Sequence, residues 1–393
     1  MKLNTILLTA AAATAFDLGR VQLPFSHESL ESSALLELHK SLVERPSITG
    51  SEKHVTDFLK TYLQDAGFTV ETQAVAKTRD NILAYYNNTR KTKVLVTSHI
   101  DTVPPFWPYE RRGDEIWGRG TVDAKGSVAA QIIAVQELFD KTKVSEGDVA
   151  LLFVVGEETG GPGMGNVNDL GLSWESVIFG EPTELKLARG HKGGLGFTIK
   201  ANGKAGHSGY PETGSNAIDS LVRGLAALQK VELPGSKEFG NSTLNVGRIE
   251  GGVAGNVIPA SAFATGGVRV AGGTPEGIRD LIRQAVEGSD PSLVVEFSYG
   301  IGPVPTDYDV DGKITTLKRN ELQLTAVGFE TVVLNYGTDI PRLKGSHKRY
   351  LYGPGSILEA HSAHEHLKVS DLEQAVEGYK KLITHALDQP SEL

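Results

Sequence analysis

The chain has 393 residues, 39% of them hydrophobic and 22% charged, with a net charge of −9 and no cysteine. It is too long for one ordinary core, which predicts two domains. The acidic balance argues against non-specific nucleic-acid binding and does not favour an anionic membrane surface, and the lack of cysteine excludes disulfides and thiolate metal ligands.

The first residues are MKLNTILLTAAAATAFDLGR. Lys2, the short apolar stretch from Ile6 to Ala13 and the small-x-small Ala13-Thr14-Ala15 predict a secretory signal peptide over residues 1–15, too short for a stable membrane span. Secretion is the corresponding expectation, and the Asn-x-Ser/Thr triplets at Asn87 and Asn241 are then candidate glycosylation sites.

Two amphipathic helices follow. Leu30, Ala34, Leu35, Leu38 and Leu42 form the inward face of the first. Ser51 is the expected cap of the second, which turns Val55, Phe58, Leu59, Tyr62 and Leu63 inward and closes at Gly67. Strands are expected at about 68–75, 81–86 and 93–98, and a helix at 125–140. DVALLFVVGEE (148–158) and SVIFGEPT (176–183) are further apolar strands that end in carboxylates. Three buried strands, each delivering ionisable groups at its C-terminal end, describe an α/β sheet with its site on that edge.

The texture changes near residue 192. Strand, helix, strand, strand, helix and strand follow in the order of a ferredoxin-like unit, after which TVVLNYG, RYLYGPG and a closing helix restore the α/β pattern. Ser370 and Glu373 have the spacing of a capping box at the start of that last helix. The reading is a catalytic domain in two parts, 16–191 and 304–393, with a smaller domain inserted at 192–303.

The strand ends supply His99 and Asp101, Asp123 in GRGTVDAKG, Glu157 and Glu158 in VVGEETGG, and Glu181 in FGEPT; EAHSAHEHL adds His361, His364 and His366. Histidine with carboxylate and no sulfur suits Zn²⁺, and Co²⁺ or Mn²⁺ less specifically. One shared Asp with a His and a Glu on either side would satisfy two ions and leave room for water. Of two adjacent glutamates, one can bind metal while the other stays free as a general base. The Gly-rich GGPGMG follows two carboxylates that would repel phosphate, so a nucleotide site is rejected.

These pieces resemble the dizinc amidohydrolases and metallopeptidases that include acetylornithine deacetylase, succinyl-diaminopimelate desuccinylase, aminoacylase and glutamate carboxypeptidase. TSHIDTVP, GRGTVDAKG, GEETGGPG, FGEPT, AGHSGYP, GNVIPA and GPGSILEAHSAHEHL carry the likeness in order from about residue 40 to the end. NYGTDIPRL with YGPGS and AHSAHEHL is most similar to the acetylornithine deacetylase branch. The resemblance implies a zinc-peptidase-like catalytic domain with a mostly parallel sheet and an inserted ferredoxin-like dimerisation or lid domain.

It also implies two Zn²⁺ per subunit, one held by His99 and Glu181, the other by His361 and Glu158, with Asp123 between them. Asp101 would orient His99, Glu157 would be the catalytic base, and the peptide after Asp123 would be cis. His207 would reach the site of a partner subunit in a homodimer, Asn256 and Arg269 would hold a substrate carboxylate, and Gly355 would leave room near the scissile group. His364 is the main rival to His361. The chain departs from the family pattern at Ser98, where Gly is usual, and at Gly267-Val268-Arg269, where Asp-Val-Arg is common.

The expected function is a secreted, zinc-dependent hydrolase cleaving the amide of a small peptide or N-acyl amino acid beside a free carboxylate, with neither nucleic acid nor membrane as partner. The alternatives are an intracellular biosynthetic deacetylase of the acetylornithine type and a non-catalytic metal- or carboxylate-binding protein on the same fold.

Overall fold

The computed structural model describes residues 27–310 and 328–389, with side chains from residue 34 onward. The expected signal peptide lies outside the described residues. The chain enters through helices α1 (His27–Val43) and α2 (Lys53–Asp65), then forms strands β1 (Phe68–Ala76), β2 (Arg79–Tyr86) and β3 (Val94–His99). A short hairpin, β4 (Glu110–Arg112) and β5 (Glu115–Trp117), precedes helix α3 (Lys125–Asp140). Strand β6 (Val149–Val154), short helix α4 (Pro162–Val167), β7 (Ser176–Gly180) and β8 (Leu187–His191) follow.

The next segment is a second unit. It runs β9 (Gly193–Asn202), α5 (Ala217–Leu228), β10 (Thr243–Gly251), β11 (Ser261–Val270), α6 (Pro275–Ser289) and β12 (Leu293–Ile301). The strands pair antiparallel in the order β10-β11-β9-β12, as the ferredoxin-like reading requires. Its own core joins Leu195, Phe197 and Ile199 of the sheet to Leu221 and Ile282 of the helices. Asn216 and Thr274 cap the two helices by accepting backbone N–H groups. The chain then returns through β13 (Val304–Pro305), β14 (Thr331–Leu334), β15 (Lys348–Tyr352), β16 (His366–Lys368) and helix α7 (Val369–Asp388).

The main sheet has the order β1-β2-β6-β3-β7-β15. Strands β6, β3, β7 and β15 are mutually parallel, whereas β1 and β2 form an antiparallel edge. All residues of β3, β6 and β7 are buried, which explains their uninterrupted apolar composition: both faces are covered. Helices α1, α2, α3 and α7 cover one face, and Met164, Val167, Trp174, Ile340 and Leu343 cover the other. Helix α3 is buried on nearly every side because it lies between the sheet and the outer helices. Gln131 within it donates to the Thr97 carbonyl of β3 at 2.9 Å. Since β3 lies between β6 and β7, three strand ends open at one place on the sheet edge.

Local structure differs from expectation at three points, two of them helix caps. Glu52, not Ser51, occupies the position before α2; its buried carboxylate accepts Gly50 N–H and pairs with Arg79 at 2.5 Å. Lys368 precedes α7, and Ser370 donates to Asp114 at 3.1 Å instead of forming a capping box. Ala34 is exposed, whereas Leu35, Leu38 and Leu42 are buried, so the inward stripe of α1 is narrower than expected. Gly67 ends α2 as expected, at φ +87°. Among the described residues, no helix is long and apolar enough to cross a membrane.

Candidate active site

The terminal residue of β3 is His99, only 2% exposed. Its Nδ1–H donates to the carbonyl of Asp101 at 3.0 Å, which directs Nε2 toward the open sheet edge. There Nε2 meets Asp123 Oδ1 at 2.9 Å and Glu181 Oε2 at 3.8 Å. Glu181 directly follows β7, and Asp123 precedes the first turn of α3 across a cis Asp123–Ala124 peptide. The other oxygen of Asp123 meets His361 Nε2 at 3.2 Å, and the same nitrogen lies 3.1 Å from Glu158 Oε2. Asp123 therefore stands between two imidazoles, each with its own glutamate.

His361 has φ +61°, a left-handed conformation that costs a non-glycine residue about 1–2 kcal/mol. The turn places its Nε2 between Asp123 and Glu158. His364 and His366 belong to neither cluster: His364 lies 3.7 Å from Glu359, and His366 stacks on Trp117.

Asp101 is wholly buried, and its carboxylate has a different main task from the one expected. Its Oδ1 is 3.6 Å from His99 Nδ1, while the two oxygens accept Gly156, Glu157 and Glu158 N–H at 2.9, 3.1 and 3.3 Å and Thr49 Oγ1–H at 2.7 Å. Asp101 thus holds the turn that carries both glutamates, and His99 is oriented chiefly by its backbone carbonyl. Burial opposes ionisation of Asp101, but His99, Thr49 and these amides outweigh it and keep the carboxyl below its usual range.

The electrostatics call for cations. Asp123, Glu157, Glu158, Glu181 and Asp339 crowd around two imidazoles, and among the described residues none of these carboxylates pairs with Lys or Arg. Burial pushes Glu157 and Glu181 well above the ordinary carboxyl range, and neighbouring carboxylates add to the effect. Two sets of ligand atoms, His99–Asp123–Glu181 and Asp123–Glu158–His361, each lie within 4.8 Å of one another and share Asp123. This donor set, nitrogen and oxygen without sulfur and rich in uncompensated charge, fits a pair of divalent ions.

The cluster opens into a cleft of about 590 Å³ between the two sheets. Glu157, Arg269, Tyr299, Tyr336 and Arg342 are among its lining residues. His207 and Asn256 do not line it. They neighbour each other on the small unit, with Ser208 N–H donating to Asn256 O at 3.1 Å, and both are exposed. Gly355 is not among the cleft's lining residues; it has φ +77°, and a Cβ there would meet Leu367 and Val122. Asn87 and Asn241 are exposed.

Two residues escaped the sequence reading. Asp339 is buried beside the cleft, its Oδ2 has no hydrogen-bond partner, and burial pushes its carboxyl up to about 7. A Cβ on Gly161 would stand 2.2 Å from Asp339 Oδ1, so the glycines after the Glu157–Glu158 pair admit this carboxylate. Glu365 is fully buried and accepts Gly120, Val122 and Asp123 N–H at 3.0, 3.1 and 3.2 Å. A lone acidic residue in YGTDIP, and another hidden among histidines, carried no periodic signal.

Residues 95–385 match the family described as Peptidase family M20/M25/M40. A peptidase M20 domain-containing protein of Schizosaccharomyces pombe is 48% identical over 92% of this chain and 88% of its own length. A protein of Aspergillus clavatus named probable carboxypeptidase is 45% identical over 94% and 93%. A Bacillus subtilis structure described as a dinuclear metal binding peptidase from the M20 family superposes with a TM-score of 0.66 at 16% identity, covering 92% of this chain and 99% of that one. The chain belongs to the M20 peptidase family. It is a metallopeptidase-family hydrolase of peptide or amide bonds with a paired candidate metal cluster; the likeness to the acetylornithine deacetylase branch in particular gains no separate support.

Proposed function

We propose that this protein is a zinc-dependent carboxypeptidase or N-acyl-amino-acid hydrolase, releasing an amino acid whose carboxylate is free. The observation that carries the reading is Asp123 set between His99 and His361 at 2.9 and 3.2 Å, with Glu157 in the same cleft. His99 and Glu181 would hold one ion, His361 and Glu158 the other, and Asp123 both. When bound, the ions would supply Lewis-acid polarisation of the carbonyl and a lowered pKa for water.

The chain's own residues do the rest. Glu157, half-buried and held by its N–H to Asp101, takes the proton of the attacking water on its carboxylate and returns it to the leaving amine. Its environment raises its proton affinity, which suits a group that must accept and then deliver a proton. Arg269 offers a planar pair of donors to the free carboxylate of the substrate. Strand β10 is an exposed sheet edge, which supports pairing with a second copy; in such a dimer His207 and Asn256 would serve the partner's cleft. The basic start, apolar stretch and small-residue site at the N-terminus support export, with Asn87 and Asn241 available to glycans.

The test is a panel of dipeptides and N-acyl amino acids, each beside its C-terminal amide, assayed with zinc and with chelator. Free acids should be cleaved in zinc and not in chelator. Equal cleavage of the amidated forms, or activity unaffected by chelation, would overturn the reading.

A further inference from the structure

Two guanidiniums line the cleft, and among the described residues neither is paired with a carboxylate. Arg269 comes from β11 of the small unit, and its Nη1 lies 3.8 Å from the point where a Cβ on Gly337 would stand. Arg342 follows Ile340 and Pro341 in a single helical turn of the large unit. Its Cγ lies 3.1 Å from the Cβ point of Gly161 and its Nη2 3.9 Å from that of Gly160. The segment 337–342 therefore has a guanidinium at each end. The head of Arg342 lies over the loop that has just delivered Glu157 and Glu158.

An exposed arginine needs no partner on an open surface, where water solvates it. Arg269 and Arg342 are exposed, but both stand in the wall of one cleft whose lining also includes the candidate metal ligands Asp123, Glu181 and His361. The nearest acid, Asp339, feels the charge of Arg342 but makes no ion pair with it, and Asp339 Oδ2 stays without a partner. Arg342 is thus not consumed by an internal bridge. Guanidinium forks recognise carboxylates in two parallel hydrogen bonds, and one fork already answers to the carboxylate that defines the substrate class.

We infer that Arg342 is a specificity residue that receives a second carboxylate, so the favoured substrates are dipeptides or N-acyl amino acids that release an amino acid with an acidic side chain. Arg269 takes the main-chain carboxylate and Arg342 that of the side chain. The inference rests on the hydrolase reading above and narrows its substrate.

The test compares isosteric pairs that differ only in charge: N-acetylglutamate with N-acetylglutamine, and Ala-Glu with Ala-Gln. Rates are measured on the zinc-supplemented wild type, Arg342→Gln, Arg342→Glu and Arg269→Gln. Binding of free glutamate and glutamine to the same proteins is measured by calorimetry. In the wild type kcat/KM should favour the acidic member by about tenfold, equivalent to about 1.4 kcal/mol. Arg342→Gln should bring that ratio to within about twofold of unity, and Arg342→Glu should invert it. Arg269→Gln should lower both members together. A wild-type ratio near one, a ratio indifferent to both Arg342 variants, or an acidic preference confined to the acyl side (Glu-Ala over Gln-Ala) would overturn the inference. If no amide is cleaved, the hydrolase reading fails and calorimetry decides alone: tighter glutamate binding that Arg342→Gln abolishes sustains the site, and equal binding rejects it.

Discussion

Glu365 Oε1 accepts the backbone N–H of Asp123 at 3.2 Å, while its Oε2 takes the Arg119 guanidinium at 2.6 Å. One buried carboxylate from the His361 segment thereby braces the loop that presents the carboxylate between the two imidazoles. Glu365→Gln leaves Arg119, 2% exposed, without its countercharge. Breaking such a buried pair costs about 3–5 kcal/mol. A lowered melting temperature and a reduced metal content after dialysis are expected, read by calorimetry and elemental analysis.

Glu157 and its neighbour Glu158 should separate cleanly. Glu157→Gln keeps the ligand sets intact and is expected to lose at least about 10²-fold in kcat with normal metal content. Glu158→Gln removes one partner of His361 and should lower metal stoichiometry first. Turnover and bound metal measured on both variants decide between them; a fully active Glu157→Gln enzyme would remove the base from the mechanism.

Metal removal should destabilise the fold, because five carboxylates would be left crowded around two imidazoles. A ligand at a hundred times its Kd adds about 2.7 kcal/mol per site to the stability of the folded state. Stripping with chelator should lower the melting temperature, and zinc should restore it. An unchanged transition would argue against resident metal.

His39 provides a pH test away from the cleft. It is fully buried, donates from Nε2 to Thr121 O at 3.1 Å, and burial lowers its pKa to about 4. The unfolded chain, with a value near 6.5, binds the proton better, so its contribution is complete above pH ~6.5 and is lost as pH falls toward about 4. Integrated over that window the loss is about 3 kcal/mol. Urea unfolding at pH 7.5 and 4.5 should show a smaller difference in His39→Gln, which keeps a donor for Thr121, than in the wild type.

Assembly can be tested by mixing two inactive chains, His207→Ala and Glu157→Ala. If His207 serves a partner's cleft, the hybrid has one complete site and activity returns. No rescue, with subunit exchange verified by native mass spectrometry, would reject the shared site.

Much of this protein is written locally. Helix α3, expected at 125–140, runs Lys125–Asp140. The ferredoxin-like order followed from periodicity alone. His99, Glu157, Glu158 and Glu181 were legible because ionisable groups at the ends of buried strands are costly without partners. The proximity of His361 to Glu158, 203 residues apart, entered only through resemblance and became geometry only in the fold. Asp339, Glu365 and the work of Asp101 were decided by tertiary structure. A buried carboxylate is defined by the N–H groups and charges that surround it, and for these three the surroundings come from distant parts of the chain. The same reason undid the capping box: Ser370 and Glu373 have the right spacing, yet packing against the β4–β5 hairpin gives Ser370 the partner Asp114, and the helix starts two residues earlier than that cap would place it, at Val369.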